Sequence, residues 1–392
     1  MHVHRGKIVV AGFPAFSYMF TVGTIGFWLP LYVQEILGYT HSMTEYLATA
    51  YFVALSLGSI ASGSLTDRTG KPQLTAFSGL VINAATIWLM GHTESFPIML
   101  LLRVIQGLGL STAIPVALGS LSLIAGESMG VGLTSLFMSS GMALGSLVGG
   151  LIVQFYGYPP LFSTASLVSL LGGIVALSLR VKPETRPPRL RELARLLRGE
   201  VLVVLVGIFM RQTLATGVYA LLAVILKLVL HLSLVETTIA LTVNPLVQGV
   251  LSMAIARRTQ AYSRLMYPSG VALTGIVFTL LAASTGRPLL AIFAMILQGA
   301  SFAMVNIAGN YIVITGLPRE MRYTASSLFN TFFNLGWISG TLLAGIALQS
   351  LSPIEWIKLS AILLEGLAVI IYLGLSMTRR THSPEPLPDM HA

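Results

Sequence analysis

Long apolar runs separated by short polar segments make up almost the whole chain. A helix that crosses the hydrocarbon core of a bilayer needs about 20 apolar residues. Dividing the chain at charged residues, proline and glycine predicts twelve such spans. The first covers about residues 8–33, which is too long for the apolar region of a signal peptide. The predicted span centres are Thr21, Val53, Ile82, Leu108, Gly141, Val168, Leu214, Pro245, Thr274, Val305, Asn334 and Leu367.

A basic segment between the sixth and seventh spans divides this pattern in two. Seven Lys and Arg residues and three prolines lie between Arg180 and Arg198. We therefore predict one six-helix domain at residues 1–180 and a second at 200–392, joined by a cytoplasmic linker at 181–199. Residues 189–198 carry apolar side chains at helical spacing. This part is either a short helix lying on the membrane face or a solvated linker.

The composition excludes several classes of protein. The 392 residues are 55% hydrophobic and only 9% charged, whereas a soluble domain carries about 25% charged residues. A cytosolic enzyme and a nucleic-acid-binding protein are therefore excluded. The chain has no cysteine, which excludes disulfides and thiolate metal sites, and its seven histidines lie in predicted termini or loops. We predict no metal, no cofactor and no nucleic-acid partner.

The distribution of Lys and Arg predicts the orientation in the membrane. The termini and the even-numbered loops hold 18 of the 23, whereas the odd-numbered loops hold three, Lys227, Arg287 and Lys358. The other two, Arg103 and Arg211, lie inside spans. Because cytoplasmic loops are enriched in Lys and Arg, we predict a multi-pass protein of the cell membrane with both termini in the cytoplasm.

Two short sequence matches indicate an internal duplication. Gln106-Gly107 recurs as Gln298-Gly299, and Ser-Leu-Phe at residues 135–137 recurs at 327–329, both at an offset of 192 residues. Repeats of six spans are an architecture of secondary transporters, in which the substrate site lies at the interface of the repeats. The predicted fold is therefore an all-α integral membrane protein of 12 transmembrane helices arranged as two six-helix pseudo-repeats.

Three motifs in the first half carry a family resemblance. The loop after span two reads Gly63-Ser-Leu-Thr-Asp67-Arg68-Thr-Gly70-Lys71, and span four contains Arg103-Val-Ile-Gln106-Gly107-Leu-Gly109. Span five contains Gly132, Gly141, Gly145, Ser146, Gly149 and Gly150. These resemble patterns of the major facilitator superfamily: G-x-L-x-D-R-x-G-K/R, R-x-x-Q-G-x-G and, in its antiporters, G-x8-G-x3-G-P-x2-G-G. In span five, Ser146 replaces the proline of the antiporter pattern.

The resemblance implies roles in gating and coupling for the residues of these motifs. In the loop, Gly63, Asp67, Arg68, Gly70 and Lys71 would latch the two halves together, or form only a basic turn with a local ion pair. Arg103 would take part in coupling transport to protons or to substrate binding. The alternative is a structural arginine bonded to backbone carbonyls. A groove for span eight or eleven would be formed by Gly141, Gly145, Gly149 and Gly150. The alternative is close helix packing that says nothing about the direction of transport. Span eleven repeats the pattern with Gly336 and Gly340.

Polar residues inside the predicted spans are candidates for substrate binding, because they are costly to bury in a membrane. The alternative is that each forms a hydrogen bond between helices. Arg211 is an exception, because a second buried cation requires a counter-charge or an anionic ligand. The candidates are Tyr18, Thr21, Thr24, Arg103, Gln106, Arg211, Gln212, Tyr219, Gln298, Asn306, Asn310, Asn330 and Asn334.

Carboxylates are scarce in the predicted spans. Glu365 in span twelve is the predicted mid-membrane carboxylate and a candidate proton carrier, with a structural or lipid-facing position as the alternative. Glu35 lies near the outer end of span one. Two buried arginines, Arg103 and Arg211, against one carboxylate favour an anionic or neutral amphipathic substrate over a cation.

The sequence therefore predicts a secondary active transporter rather than an enzyme. We expect a monomer that moves a small amphipathic solute by alternating access, with proton-coupled efflux favoured by the glycines of span five. The alternatives are proton-coupled uptake of a small organic anion, a gradient-independent lipid flippase or receptor, and a membrane-embedded enzyme. The predicted partners are the small-molecule substrate, membrane lipid and protons.

Overall fold

The chain folds into twelve helices along its described residues. The computed structural model describes residues 2–69, 71–125, 127–179, 198–256, 259–316 and 322–380, and this part contains no strand. Three of the helices are built from consecutive segments. The helices are α1 (His2–Thr21, Val22–Gly26 and Phe27–Glu35), α2 (His41–Thr69), α3 (Pro72–Met90), α4 (Phe96–Leu110 and Ala113–Ala125), α5 (Glu127–Tyr156), α6 (Pro159–Ala176), α7 (Gly199–Ala220, Leu222–Val224 and Ile225–Val229), α8 (Leu234–Ala256), α9 (Thr259–Ala282), α10 (Pro288–Thr315), α11 (Arg322–Ala347) and α12 (Pro353–Arg380).

Each of the twelve predicted span centres lies within one of these helices. Over the described residues, ten helices are long and apolar enough to cross a membrane. The other two are α2 and α11, whose polar side chains include Glu45, Thr49 and Thr341. The structure therefore confirms a multi-pass, all-α membrane protein. The predicted linker helix lies outside the described residues.

Glycine and proline set the tight turns between several helices. Gly157 and Gly286 adopt positive φ angles of 77° and 68°, a conformation that glycine reaches without steric cost. Each is followed two residues later by a proline, Pro159 or Pro288, in the first turn of the next helix. Proline is tolerated there because the first backbone N–H groups of a helix have no intrahelical acceptor. Such turns place consecutive helices side by side.

Equivalent close approaches recur in the two halves. Gly107 of α4 lies against the backbone of α2 at Tyr51, and Gly299 of α10 lies against the backbone of α8 at Asn244. A Cβ atom at either glycine would collide with a carbonyl oxygen of the facing helix. These two glycines are the ones that the sequence repeat relates. The contacts agree with the prediction of two six-helix pseudo-repeats.

Three of the four glycines of α5 pack against a different helix from the one predicted, whereas Gly150 lies against Thr238 of α8, as predicted. The sequence predicted a groove for span eight or eleven, but Gly141 and Gly145 lie against the backbone of α1 at Phe16 and Phe20. Gly149 faces the Trp28 indole, also in α1. The reason is that positions four residues apart share one helix face, and that face points into the same half. In α11, Gly336 and Gly340 pack against α7 in the same manner.

The two halves meet at the end of the bundle that carries the loops after α1, α3, α5, α7, α9 and α11, which we call the odd-loop end. On one side α5 packs against α8, where Gly150 is in contact with Thr238. On the other side α2 packs against α11, and Gln349 donates a hydrogen bond to the Tyr46 hydroxyl at 2.9 Å. The odd-loop end is therefore closed.

Ser146, which replaces the proline of the antiporter pattern, lies at the α5–α8 contact. Its hydroxyl is 3.3 Å from that of Thr242 in the other half. Its carbonyl oxygen accepts a hydrogen bond from the Trp28 indole at 3.2 Å. The α5 helix runs without interruption through this position, as expected when no proline removes a backbone donor.

Candidate functional site

Arg103 is buried between α4 and α2. Its Nη1 donates to Gln106 Oε1 at 2.7 Å, and its Nε donates to the Leu47 carbonyl oxygen at 3.4 Å. The guanidinium carbon also lies 4.3 Å from the centre of the Tyr51 ring, within the range of a cation–π interaction. The bond to Leu47 is the kind that the structural-arginine alternative requires, and every one of these partners is neutral.

A chain of amide and hydroxyl groups extends from Arg103 through the first half. Gln106 Nε2 donates to Asn83 Oδ1 at 3.0 Å. Asn83 Nδ2 donates in turn to the hydroxyls of Ser169 at 2.8 Å and Thr21 at 3.4 Å. The chain therefore joins α4, α3, α6 and α1. Sequence analysis did not select Asn83, although its position within an apolar run was a signal.

Arg211 is the corresponding buried cation of the second half and is fully inaccessible to solvent. It donates to Gln212 Oε1, to the Tyr219 hydroxyl at 3.1 Å and to the Thr274 hydroxyl at 3.1 Å. Its guanidinium carbon lies 4.6 Å from the centre of the Phe302 ring. Among the described residues no carboxylate pairs with Arg211, so neutral oxygens and aromatic faces surround the charge.

A run of aromatic rings connects the two arginines across the halves. We call it the aromatic bridge. Tyr51 contacts Phe52 with ring centres 5.0 Å apart, and Phe52 contacts Trp337 of α11 at 4.5 Å. Trp337 then lies 6.4 Å from Tyr219, which is a partner of Arg211. The bridge consists of Tyr51, Phe52, Trp337, Phe333, Tyr219 and Phe302.

Most members of the aromatic bridge escaped the sequence analysis. Phe52, Phe302, Phe333 and Trp337 are half-buried rather than fully packed, so part of each ring remains free for contact. The four-residue spacing of Phe333 and Trp337 places them on one face of α11, and this was the available signal. Apolar rings in a membrane span have no cost that would mark them as functional, so composition alone could not distinguish them from lipid-facing residues.

Three buried hydrogen-bond donors near the bridge find no acceptor among the described residues. They are Arg211 Nε, Gln212 Nε2 and the Trp337 indole nitrogen. A buried donor without an acceptor costs about 1–3 kcal/mol. This part of the structure can therefore gain free energy by meeting an acceptor-bearing or anionic group.

The remaining predicted binding residues occupy more varied positions. Tyr18 is buried with Tyr51, and the Thr24 hydroxyl donates within α1 to the Phe20 carbonyl oxygen at 2.9 Å. Gln298 is fully buried in α10, and Asn310 donates to the backbone of Asn306 at 3.0 Å. In α11, Asn334 is half-buried and Asn330 is exposed.

The predicted binding residues that do meet form two clusters. One contains Thr21, Arg103 and Gln106, and the other contains Arg211, Gln212 and Tyr219.

The predicted coupling residues fall into two groups. Glu365 is exposed on α12, where its side chain lies beside Gly275 of α9. In the loop after span two, Lys71 is exposed immediately before α3. The contacts of Gly63, Asp67 and Arg68, together with all of Gly70, lie outside the described residues.

Within the described part of the chain, no group of three or more His, Asp or Glu residues is placed to hold a metal ion.

A buried carboxyl that the sequence analysis missed lies in α2. Glu45 is fully inaccessible to solvent. Sequence analysis named Glu365, not Glu45, as the mid-membrane carboxylate. The structure differs because α11 packs over this part of α2.

An ion pair joins the two halves at the odd-loop end. Lys227 of α7 donates to Glu35 Oε1 of α1 at 2.6 Å. The Tyr158 hydroxyl, just before α6, donates to Glu35 Oε2 at 2.6 Å. Burial, together with the neighbouring Glu35 carboxylate, raises the pKa of Tyr158, so this hydroxyl remains a donor.

Comparison with known proteins identifies the family. The Major Facilitator Superfamily model matches residues 12–224 and 204–390. The nucleoside transporter NupG superposes with a TM-score of 0.78 at 13% identity, over 95% of this chain and 99% of that one. A bacterial homolog of the human lysosomal transporter Spinster superposes with a TM-score of 0.76 at 15% identity, over 98% of this chain and 99% of that one.

Sequence relatives include two resistance proteins. The tetracenomycin C resistance and export protein of Streptomyces glaucescens is 30% identical over 154 residues, covering 37% of this chain and 28% of that protein. The quinolone resistance protein NorA of Staphylococcus aureus is 26% identical over 181 residues, covering 45% of this chain and 46% of that protein. The matches span less than half the length of these curated relatives. On the family match along both halves, the chain belongs to the major facilitator superfamily.

Proposed function

We propose that this transporter exports small, aromatic amphipathic compounds across the cell membrane by alternating access, in exchange for protons. The observation that carries the proposal is the aromatic bridge, which joins the two halves and has an arginine at each end. Half-buried rings such as Phe52 and Trp337 offer flat apolar contact to a planar solute. The names of the two resistance relatives support export as the direction.

The closed odd-loop end fits one state of such a cycle. With the termini in the cytoplasm, as the basic residues predict, this end faces outward. A solute would then reach the aromatic bridge from the cytoplasm and leave after the halves separate at the odd-loop end. This direction of movement is part of the proposal.

Purified protein in liposomes with an acidic lumen tests the exchange. A quinolone, ethidium or an aromatic carboxylate is added outside while a trapped dye reports the internal pH. Exchange of an entering compound for a proton makes the lumen more alkaline, and an uncoupler abolishes the signal. A lumen whose pH is unaffected by every aromatic compound contradicts the proposal.

Trp337→Ala tests the role of the aromatic bridge. We expect the initial rate to fall at least about tenfold, because a lost aromatic contact of about 1.4 kcal/mol corresponds to a factor of ten. Trp88→Ala is the matched control, because Trp88 lies exposed on α3 and stacks only with His92 among the described residues. Equal initial rates for the two variants would show that the aromatic bridge takes no part in transport.

The second candidate is proton-coupled uptake of a small organic anion. It is favoured by Arg103 and Arg211, two buried cations for which the described residues supply no carboxylate. The same liposomes distinguish the two candidates when the pH gradient is reversed. Entry of an anion together with a proton acidifies the lumen, whereas exchange makes it alkaline.

A further inference from the structure

Glu45 in the first turns of α2 is an unusual buried carboxyl. Its side chain is fully inaccessible to solvent, and neither Oε1 nor Oε2 has a hydrogen-bond partner among the described residues. An ionised carboxylate without partners is far more costly to bury than a neutral carboxylic acid. The structure is therefore compatible with Glu45 in its protonated form.

Glu45 lies where the two halves of the protein meet. A Cβ atom at Gly345 of α11 would be 3.4 Å from Glu45 Cβ. One turn further along α2, the Thr49 hydroxyl donates to that of Thr341 at 2.8 Å. Beside Glu45, Tyr46 accepts the hydrogen bond from Gln349 that helps to close the odd-loop end. Separation of α2 from α11 would bring Glu45 into contact with water.

The charged groups around this position do not compensate a carboxylate. From α4, Arg103 bonds to the Leu47 carbonyl and Gln106. From α7, Lys227 is paired with Glu35 of α1. Each of these cations has other partners.

The remaining titratable neighbours are few. On α2 itself, His41 lies one turn before Glu45, and its buried Nδ1 has no partner among the described residues; Tyr46 directly follows Glu45. Residues 328–347 of α11 contain no titratable side chain. This stretch of α11, which faces Glu45 across the interface, therefore cannot neutralise an ionised carboxylate.

We propose that Glu45 is a proton-binding site whose occupation is required for the odd-loop end to close. When α2 and α11 separate, water reaches the carboxyl and its O–H bond breaks, so the proton passes to that water. When the helices come together, Glu45 takes one proton from the same side. The inference rests on the alternating access of the proposed function, and it holds for any solute and either direction of transport.

The sign of the pH dependence follows from proton binding. The closed state holds one proton more than the open state, so raising the pH favours opening. The ratio of open to closed molecules changes by at most about tenfold per pH unit, because a single proton is exchanged. Acidic solution at the odd-loop end therefore favours closure.

Spin labels across the odd-loop end measure this equilibrium. The chain has no cysteine, so Ser95→Cys before α4 and Thr285→Cys before α10 provide two unique attachment points, both exposed. Distances between the labels are recorded from acid to alkaline pH without any transported solute. We expect a short distance at acid pH and a growing long-distance population as the pH rises.

Variants of Glu45 decide the proposal. Glu45→Gln, which stays neutral at every pH, should show the short distance throughout, whereas Glu45→Asp should keep a titration. Glu355→Gln is the matched control and should titrate as the parent does, because Glu355 is exposed and accepts its hydrogen bonds from the neighbouring Ser352. Gly345→Leu should give the long distance at every pH, because a Cβ atom at Gly345 would already be 2.7 Å from the Tyr46 ring.

Two outcomes would overturn the proposal. One is an unchanged titration in Glu45→Gln, and the other is a distance in the parent protein that does not respond to pH. Because no solute is present, neither result depends on what the protein transports. A failure of drug-dependent proton exchange in liposomes would leave this measurement unaffected.

Discussion

At the scale of single residues, three charged or chargeable side chains are buried inside the protein. Arg103 and Arg211 are held by neutral acceptors and aromatic faces. Glu45 has no such partners among the described residues. A guanidinium offers five N–H donors in a fixed plane and can satisfy several acceptors at once, whereas an isolated carboxylate can escape the cost of burial by binding a proton.

Arg211→Lys tests the geometry of the second cation. A lysine keeps the charge but cannot reach Gln212, Tyr219 and Thr274 together. The transport rate should fall at least about tenfold, since a hydrogen bond to a charged group is worth about 1.5–3 kcal/mol. Arg264→Lys is the control, because Arg264 is half-exposed and paired with Glu200 at the surface. Equal initial rates in liposomes would show that the fork geometry of Arg211 is dispensable.

At the scale of helices, glycines decide which faces approach closely. Gly141 and Gly145 bring α5 onto the α1 backbone, and Gly336 and Gly340 bring α11 onto α7. Without a hydrophobic driving force between helices in lipid, such close packing supplies much of the association energy. The stripes therefore hold each half together, while Ser146 and Gly150 on the neighbouring face of α5 meet α8 across the halves.

Gly145→Ala tests this packing. A Cβ atom there would collide with the Phe20 carbonyl oxygen, so we expect a loss of about 1–3 kcal/mol in the free energy of unfolding, typical of overpacked sites. Gly132→Ala in the same helix meets nothing within 4 Å, and alanine there should be neutral or slightly stabilising. The thermal unfolding temperatures of the two variants in detergent provide the measurement. A Gly145→Ala variant as stable as Gly132→Ala would contradict the steric argument.

At the scale of the whole molecule, the odd-loop end is closed by contacts that would have to separate under the proposed alternating access. The Lys227–Glu35 ion pair links α7 with α1, and Tyr158 fixes the carboxylate from α6. On the α2–α11 side the contact runs from the Tyr46–Gln349 hydrogen bond to the Phe52–Trp337 ring pair.

Lys227→Met and Glu35→Gln test the ion pair. Each should increase the open population at the odd-loop end by about fivefold, because a partly exposed pair contributes about 1 kcal/mol. The double variant should behave like either single one, since both remove the same interaction. The spin-label distances described above, recorded at one pH, provide the readout. Fully additive effects would show that the two side chains act independently.

The sequence by itself determined the twelve spans, the family and the presence of two buried arginines. The physical reason is that a bilayer demands long apolar runs, and a charge within such a run is conspicuous. The glycine stripe of α5 was also visible, but for Gly141, Gly145 and Gly149 the partner helix was predicted wrongly, because spacing identifies a face and not what lies opposite.

Only the tertiary structure decided which residues from different spans meet. The aromatic bridge joins side chains such as Phe52 and Trp337 that are far apart in the chain, and an apolar ring carries no local mark of function. Glu45 was missed because its burial comes from another helix: packing of α11 over α2 removes it from water. Burial and pairing depend on the folded arrangement of helices, which the pattern along one chain does not contain.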